Sequence, residues 1–330
     1  MNKPVAGVDL GGTNINAGIA TSELSGQGVR GIIGRGRKKT KAELGPDGVI
    51  ERVAEAVENA CDEAHIDPEE LGAIGIGAPG AIEPGSGMVL EAVNLRWNRV
   101  RLGEMLSERF GGAPVVVDND VNVAILAEHR LGAGEHAQHL LGVWIGTGVG
   151  GGIILNGKLH YGAFGSAGEI GHMHASPYNQ PGERSLEHNC SRTALADRLT
   201  KLIKANHASI IPQIVNGDLS RIRSKVIAQA YARGDALTRE VVDHAADLLG
   251  IIIGGAVTLL SLERVVLGGG FTEALGEPFV DLVRAGARRV IFPNAAKNVE
   301  IVASELSEDA GIAGAALLAL ESIRQPEPTA

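Results

Sequence analysis

The apolar and polar positions along the chain form two runs of the same kind. Residues 5–8 are small and apolar and end at Asp9, Gly11-Gly12-Thr13-Asn14 interrupts them, and residues 15–20 return to an apolar pattern. This spacing predicts a strand, a glycine turn and a second strand. Residues 49–64 carry Val49, Val53, Ala56, Val57, Ala60 and Ala64 at helical spacing, with Glu51, Glu55, Glu58 and Asp62 on the other face, and so predict an amphipathic helix. Further strands are predicted at 71–76, ending in Gly77-Ala78-Pro79-Gly80, and at 114–117, ending in Asp118-Asn119-Asp120, with helices at 99–109 and 121–129. The opening pattern then recurs: a strand at 140–145, the glycine-rich stretch 146–152, and a strand at 153–155. Helices at 192–206, 219–232 and 236–262 follow, then a strand at 264–267 ending in Gly268-Gly269-Gly270, a helix at 273–289, a strand at 299–303 and a helix from 309 to about 320.

This repetition predicts an α/β protein of two units related by an old duplication. Residues 1–118, joined by a returning helix in 306–330, are expected to form a smaller domain and residues 119–305 a larger one. No low-complexity linker separates them, so the two are expected to meet at a cleft. A length of 330 residues suits two ordinary domains.

Composition narrows the classes. Glycine accounts for 46 of 330 residues, about twice the usual ~7%, yet hydrophobic residues make up 44%, far too many for a disordered chain. The glycines therefore need local reasons. A net charge of -9 argues against non-specific nucleic-acid binding, which needs a basic footprint. Cys61 and Cys190 alone do not make a disulfide scaffold, and they fit a reducing cytoplasm. No apolar targeting segment is visible at the N-terminus. The apolar run 248–262, interrupted by Gly254, Gly255 and Thr258, falls short of the ~20 residues that span a bilayer and reads as a core helix, so no membrane association is expected.

Three glycine turns carry the candidate chemistry. Asp9-Leu10-Gly11-Gly12-Thr13 follows a strand and leads into another, so it is neither a dinucleotide fingerprint, which opens a helix, nor a Walker A loop, which needs Gly-Lys-Ser/Thr. Taken alone it is equally a tight hairpin with a capping or solvated Asp9. The second stretch has five glycines in seven residues (Gly146, Gly148, Gly150, Gly151, Gly152), more than a hairpin requires. With the third, Gly268 to Gly270, the three suggest a divided nucleotide site in which bare backbone N–H groups approach phosphates.

Asp9-Leu10-Gly11-Gly12-Thr13, Asn119-Asp120, Gly146-Thr147-Gly148 with Gly150-Gly151-Gly152, Glu169-Ile170-Gly171-His172 and Leu267-Gly268-Gly269-Gly270 resemble, in order and over nearly the whole chain, the motifs of ROK-family sugar kinases, most closely the glucokinases among them. The resemblance implies the actin-like ATPase (ribonuclease H-like) duplicated fold, with ATP and sugar in an interdomain cleft. It implies that Asp120 is the general base for the sugar hydroxyl and Asn119 a sugar ligand, against the alternative that Asp118, Asn119 or Asp120 caps the following helix. Asp9 is the implied Mg²⁺ partner, direct or through water. Gly11, Gly12 and Thr13, with Gly146, Thr147 and Gly148, are the implied phosphate contacts, and Gly268, Gly269 and Gly270 the implied nucleotide backbone. Gly80, Asn94, Glu169, His172 and Glu187 are the implied sugar contacts. The Lys that often follows Gly-Gly-Thr in the family is Asn14 here.

A second departure follows His172. The cysteines that usually join this His in a structural zinc site are replaced by Tyr178, Gln180 and Ser185, so that site cannot form and zinc is not expected. His172, His174, His188 and Cys190 remain as a substitute set. Otherwise the packing of residues 176–184 is expected to orient His172. Glucose is the first expected substrate, with N-acetylmannosamine, N-acetylglucosamine, fructose or mannose as alternatives, and inorganic polyphosphate as an alternative donor. A homodimer is implied by resemblance. A ROK-type transcriptional regulator is disfavoured, since the first strand begins at Val5 with no helix-turn-helix before it.

Overall fold

A computed structural model describes residues 3–25, 30–176 and 178–324. The chain divides into two compact units, one formed by 1–136, 161–167 and 308–330, the other by 137–160 and 168–307.

The first unit is built on a five-stranded sheet of β1 (Val5–Leu10), β2 (Asn14–Ser25), β3 (Arg30–Lys39), β4 (Ile74–Ala78) and a fifth strand, Val115–Asn119, in the order β3-β2-β1-β4 followed by Val115–Asn119. β1, β4 and Val115–Asn119 run parallel, while β2 and β3 are antiparallel. A small antiparallel sheet of β5 (Ala81–Glu83), β6 (Met88–Ala92) and β7 (Trp97–Val100) precedes that last strand, hereafter β8. Helix Gly45–Ala64 starts with a proline in its first turn and ends at His65 in the left-handed conformation. Its buried face, from Val49 to Cys61, lies on β2 and β3. The approach is close because Gly34 and Gly36 occupy the inward positions of β3: a Cβ on them would stand 2.2 Å from the Ala60 carbonyl oxygen and 1.9 Å from that of Ala56. Glycines at the inward positions hide the alternation that marks a half-buried strand, so β3 leaves no strand pattern in the sequence.

The domain boundary expected after residue 118 lies elsewhere. Helix Asp120–Leu131 belongs to the first unit, packed against the C-terminal helix Ala310–Arg324 so closely that a Cβ on Gly314 would stand 1.7 Å from the Val123 carbonyl oxygen. Residues 161–167 also belong there, and the two units are of nearly equal size.

The second unit repeats the first. β9 (His139–Ile145) pairs antiparallel with β10 (Val149–Leu155), which pairs with β11 (Lys158–Leu159), and β12 (Arg264–Gly268) and β13 (Glu300–Ala303) extend the other side in parallel, giving the order β11-β10-β9-β12-β13. Its core includes one face of helix Ala236–Leu260, with Val242, Ala246, Leu249, Ile253 and Val257 fully buried. This helix is long and apolar enough to cross a membrane by length and composition, but half of its most apolar stretch is buried in the unit. The predicted helix at 273–289 is two helices, Gly270–Leu275 and Glu277–Val290, divided at Gly276 (φ 67°). The helix expected from 219 is a short turn followed by Ser224–Ala232.

Candidate active site

In the first unit, the candidate residues gather at the carboxyl ends of the three parallel strands, the place where open α/β sheets bind ligands. Asp9 is the penultimate residue of β1, in register with Asn16 and Gly77. Its Oδ2 accepts a 3.3 Å hydrogen bond from Asn16 Nδ2. Burial pushes its pKa up, with that hydrogen bond acting the other way. The C-terminal helix passes so near that a Cβ on Gly311 would stand 2.9 Å from Asp9 Cγ. The Gly11-Gly12-Thr13 turn is closed by the Gly11 N–H donating to Asn14 O at 2.9 Å and braced by Thr40, whose hydroxyl donates to Gly11 O at 2.6 Å and whose N–H donates to Thr13 O at 3.0 Å. Asn94 lies against this turn: a Cβ on Gly12 would meet its Cβ at 3.2 Å. At the position where the resemblance implies a cation, Asn14 Oδ1 instead accepts a 2.9 Å hydrogen bond from Lys39 Nζ on β3. A lysine 25 positions away in sequence has no local signal, and sequence reasoning missed it.

At the end of β8 the capping alternative and the sugar-site expectation meet in one residue. Asn119 caps helix Asp120–Leu131, its Oδ1 accepting from Val121 N (2.9 Å) and Asn122 N (3.2 Å). Its Nδ2 donates to Gly80 O at 3.0 Å, so both ends of the amide are held. Gly80 must be glycine: its φ is 99°, and a Cβ would stand 2.0 Å from Glu91 O. Asp120 opens the helix with Oδ1 2.9 Å from Val121 N. Behind it, buried Asp118 accepts from Asn119 N (2.6 Å), Asn122 Nδ2 (3.0 Å) and the Tyr161 hydroxyl (2.6 Å). Burial pushes the Asp118 carboxyl up and these hydrogen bonds pull it down, while burial and the Asp118 charge push the Tyr161 phenol up. Tyr161 was also missed, since only the folded chain brings it to Asp118.

In the second unit, Gly146, Thr147 and Gly148 alone form the turn between β9 and β10, closed by Gly146 N donating to Gly148 O at 2.9 Å. Gly150, Gly151 and Gly152, expected in the loop, are part of β10. They let residues 168–170 pack closely, a Cβ on Gly151 falling 2.5 Å from Gly168 O. Glu187, in the short helix Leu186–Cys190, presses on the turn: its Oε2 accepts from Val149 N at 2.9 Å and would stand 2.2 Å from a Cβ on Gly148. Glu169 and His172 lie within reach of each other, with His172 Nε2 3.9 Å from Glu169 Oε2, the imidazole 79% exposed and the carboxylate 44%. Burial raises the Glu169 pKa, His172 lowers it and Glu187 raises it, so the three form one electrostatic cluster. Gly268 ends β12, paired with Trp144 of β9 beside the Gly146 turn, and Gly269 and Gly270 follow it. Two of the three are explained by packing: a Cβ would meet the Trp144 ring at 2.5 Å from Gly268 and Ile145 O at 2.6 Å from Gly269. Space is open only over Gly270.

The substitute zinc set is not brought together. Cys190 is buried with Sγ 3.3 Å from Ala245 O, and burial pushes its thiol up to about 12. His188 Nδ1 is bonded to Ser185 Oγ at 2.7 Å. Among the described residues no group of three His, Cys, Asp or Glu is placed to hold a metal ion. The segment after His172 is closed by hydrogen bonds instead, with Ala175 N and Ser176 N donating to Arg184 O, Arg184 Nε to Asn179 O and Leu186 N to Met173 O. Pro177 lies outside the described residues.

Two sheets of one strand order, each carrying glycine turns at its strand ends, define the duplicated actin-like ATPase fold. The family comparison agrees, with the ROK family matching residues 5–322. The chain belongs to the ROK family, and within it the relatives mark it as a sugar kinase. It is 33% identical over 323 residues to the glucokinase of Thermotoga maritima, covering 96% of this chain and 97% of that one. A ROK family glucokinase from Streptomyces griseus, in complex with glucose and AMPPNP, superposes with a TM-score of 0.83 at 30% identity, over 96% of this chain and 99% of that one. A ROK hexokinase from Thermus thermophilus does so at 0.78 and 29%, over 98% and 99%.

Proposed function

We propose that the chain transfers the terminal phosphoryl group of Mg-ATP to the 6-hydroxyl of glucose. The observation that carries this reading is the end of β8, where Asn119 is held at both ends of its amide and fixes the start of the helix that bears Asp120. Such positioning is most of what phosphoryl transfer asks of a protein. Asp120 accepts the hydroxyl proton late in the transfer. Gly80, Asn94, Asn119, Glu169, His172 and Glu187 take the sugar hydroxyls. The N–H groups of Gly12, Thr13, Thr147 and Gly148 take phosphate oxygens, those of Gly11 and Gly146 closing the two turns, and the backbone at Gly268, Gly269 and Gly270 lies against the nucleoside.

Asp9 fits a divalent cation: its Oδ1 accepts no hydrogen bond among the described residues, and no Lys or Arg pairs with it. One carboxylate with water and phosphate oxygens suffices for Mg²⁺, which when bound neutralises charge on the transferring group. The glucose and ATP analogue held by the Streptomyces griseus relative support both substrates.

A coupled assay over glucose, mannose, fructose, N-acetylglucosamine and N-acetylmannosamine tests the proposal. Glucose with ATP is expected to give the highest kcat/KM, and Asp120→Ala is expected to abolish turnover while sugar binding, followed by calorimetry, remains. A higher kcat/KM on an N-acetylhexosamine would overturn the substrate assignment. Turnover retained in Asp120→Ala would overturn the base.

A further inference from the structure

Arg192 has no part in the site described so far. It opens helix Arg192–Lys204 and is fastened to the β9–β10 turn: its N–H donates to Gly146 O at 3.0 Å and its Nη2 to Thr147 Oγ1 at 2.8 Å, while the Thr193 hydroxyl donates to Thr147 O at 2.8 Å. The half-buried Arg192 is opposed by the charge of Arg223, which, after burial itself, lowers its affinity for the proton, Asp197 acting the other way. Arg223 spends Nη1 on the Ser220 and Ile222 carbonyls at 2.8 and 2.9 Å. Among the described residues neither guanidinium forms an ion pair. Nε and Nη1 of Arg192 make no hydrogen bond there, and the space over Gly146 is open.

Arg192 is thus tethered to the turn through one Nη2 hydrogen bond, with Nε and Nη1 left to bind and no ion pair to Asp197. A guanidinium offers a planar fork of N–H donors suited to non-bridging phosphate oxygens. We propose that Arg192, backed by Arg223, binds the phosphoanhydride chain of the donor where it crosses the Gly146-Thr147-Gly148 turn. The inference rests on the kinase reading and adds to it a cationic contact on the second unit. A nucleoside triphosphate and inorganic polyphosphate share this chemistry.

The test uses the full chain and measures binding as well as turnover. Calorimetric titration with ADP, inorganic tripolyphosphate and adenosine, each in Mg²⁺, compares wild type with Arg192→Gln, Arg192→Lys and Arg223→Gln. Loss of a charge-assisted contact is expected to weaken ADP and tripolyphosphate about ten- to a hundredfold in Arg192→Gln, less in Arg192→Lys and Arg223→Gln, and to leave adenosine unchanged. Unaltered affinity for ADP and tripolyphosphate in Arg192→Gln would overturn the proposal. An equal loss for adenosine would overturn it too, because Arg192 would then only brace the turn. In turnover, a raised KM for ATP assigns the nucleotide as the occupant, and a raised KM for long-chain polyphosphate assigns polyphosphate. If wild type binds ADP but phosphorylates no sugar with either donor, the kinase reading fails, and the binding comparison still decides the role of Arg192.

Discussion

The two units share a strand order and a turn, and they differ in what stands at the strand ends. β1 leads through Asp9-Leu10 into Gly11-Gly12-Thr13, and β9 leads through Trp144-Ile145 into Gly146-Thr147-Gly148. Both positions face a glycine on the neighbouring parallel strand, Asp9 opposite Gly77 and Trp144 opposite Gly268. One frame therefore presents a carboxylate that carries a penalty for burial, and the other an aromatic ring packed on glycine. The last parallel strand differs as well, since β8 ends in Asp118-Asn119, with Asp120 opening the next helix, and β13 ends in Ala303. A duplicated fold supplies two sets of loops, and among the described residues the first collects Asp9, Asp118 and Asp120 at or beside its strand ends, the acids to which the proposed reading gives metal and proton chemistry. The second collects backbone donors, the Glu169, His172 and Glu187 cluster, and Arg192.

The largest effect expected from this difference is at its central pair. Asp9→Asn should lower kcat by about 10²–10³, the scale of removing one preorganised charge contact, with glucose affinity unchanged by calorimetry. Trp144→Phe, at the corresponding place, should cost less than about threefold, since it keeps an aromatic ring in van der Waals contact. Similar losses for both would mean that the strand ends are not functionally distinct.

Glycines sharpen the contrast next. Gly80→Ala puts a side chain at φ 99° and against Glu91 O, which should destabilise the chain by about 3 kcal/mol and release Asn119, read as a lower midpoint in urea and a lower kcat. Gly270→Ala meets open space and should change stability by less than about 0.5 kcal/mol. Any rise in its KM for ATP would then report on ligand contact alone. A smaller loss is expected from Tyr161→Phe, which leaves Asp118 short of one donor and should cost about 1–2 kcal/mol. Exhaustive chelation followed by restored Mg²⁺ should leave activity whole, because hydrogen bonds close the segment after His172; irreversible loss of sugar binding would contradict this.

The parts legible in the sequence were those whose cause is local. β1, β4, β9 and β12 are short buried apolar runs, and the glycine turns interrupt them in plain view. β3 was not legible because its inward positions are Gly34 and Gly36, shaped by the carbonyls of a helix above them. Gly150, Gly151 and Gly152 looked like loop for a related reason: a glycine needed for a packed neighbour and a glycine needed for a turn are the same letter. Lys39, Tyr161 and Arg192 meet Asn14, Asp118 and Thr147 through contacts made by distant segments, and no spacing announces them. Asp9, Asn119 and Asp120 stood out as candidates because motif and strand end coincide. The domain boundary did not, because the packing of helix Asp120–Leu131 on the C-terminal helix is a property of the folded unit.

The smallest expected effect concerns the stability of the Asp9 position against pH. Burial holds the Asp9 carboxyl above the ordinary carboxylate value, so the folded chain holds this proton more tightly than the unfolded chain does. Stability from that proton is fully present below the unfolded pKa and is lost as pH rises through the folded one. At pH 7, well above the unfolded value, burying this carboxyl is thus a net cost to the fold, which Asp9→Asn removes. In Mg²⁺-free buffer that variant should melt a few degrees higher than wild type at pH 7, with the gap closing as the pH is lowered toward 4. Saturating Mg-ATP should narrow the gap at pH 7, because a ligand that binds the native state stabilises the chain able to hold it. Trp144→Phe adds or removes no titrating group and should show no pH-dependent gap. If Asp9→Asn melts with wild type at every pH, the carboxylate is not held against a burial cost, and the contrast between the two strand ends reduces to shape.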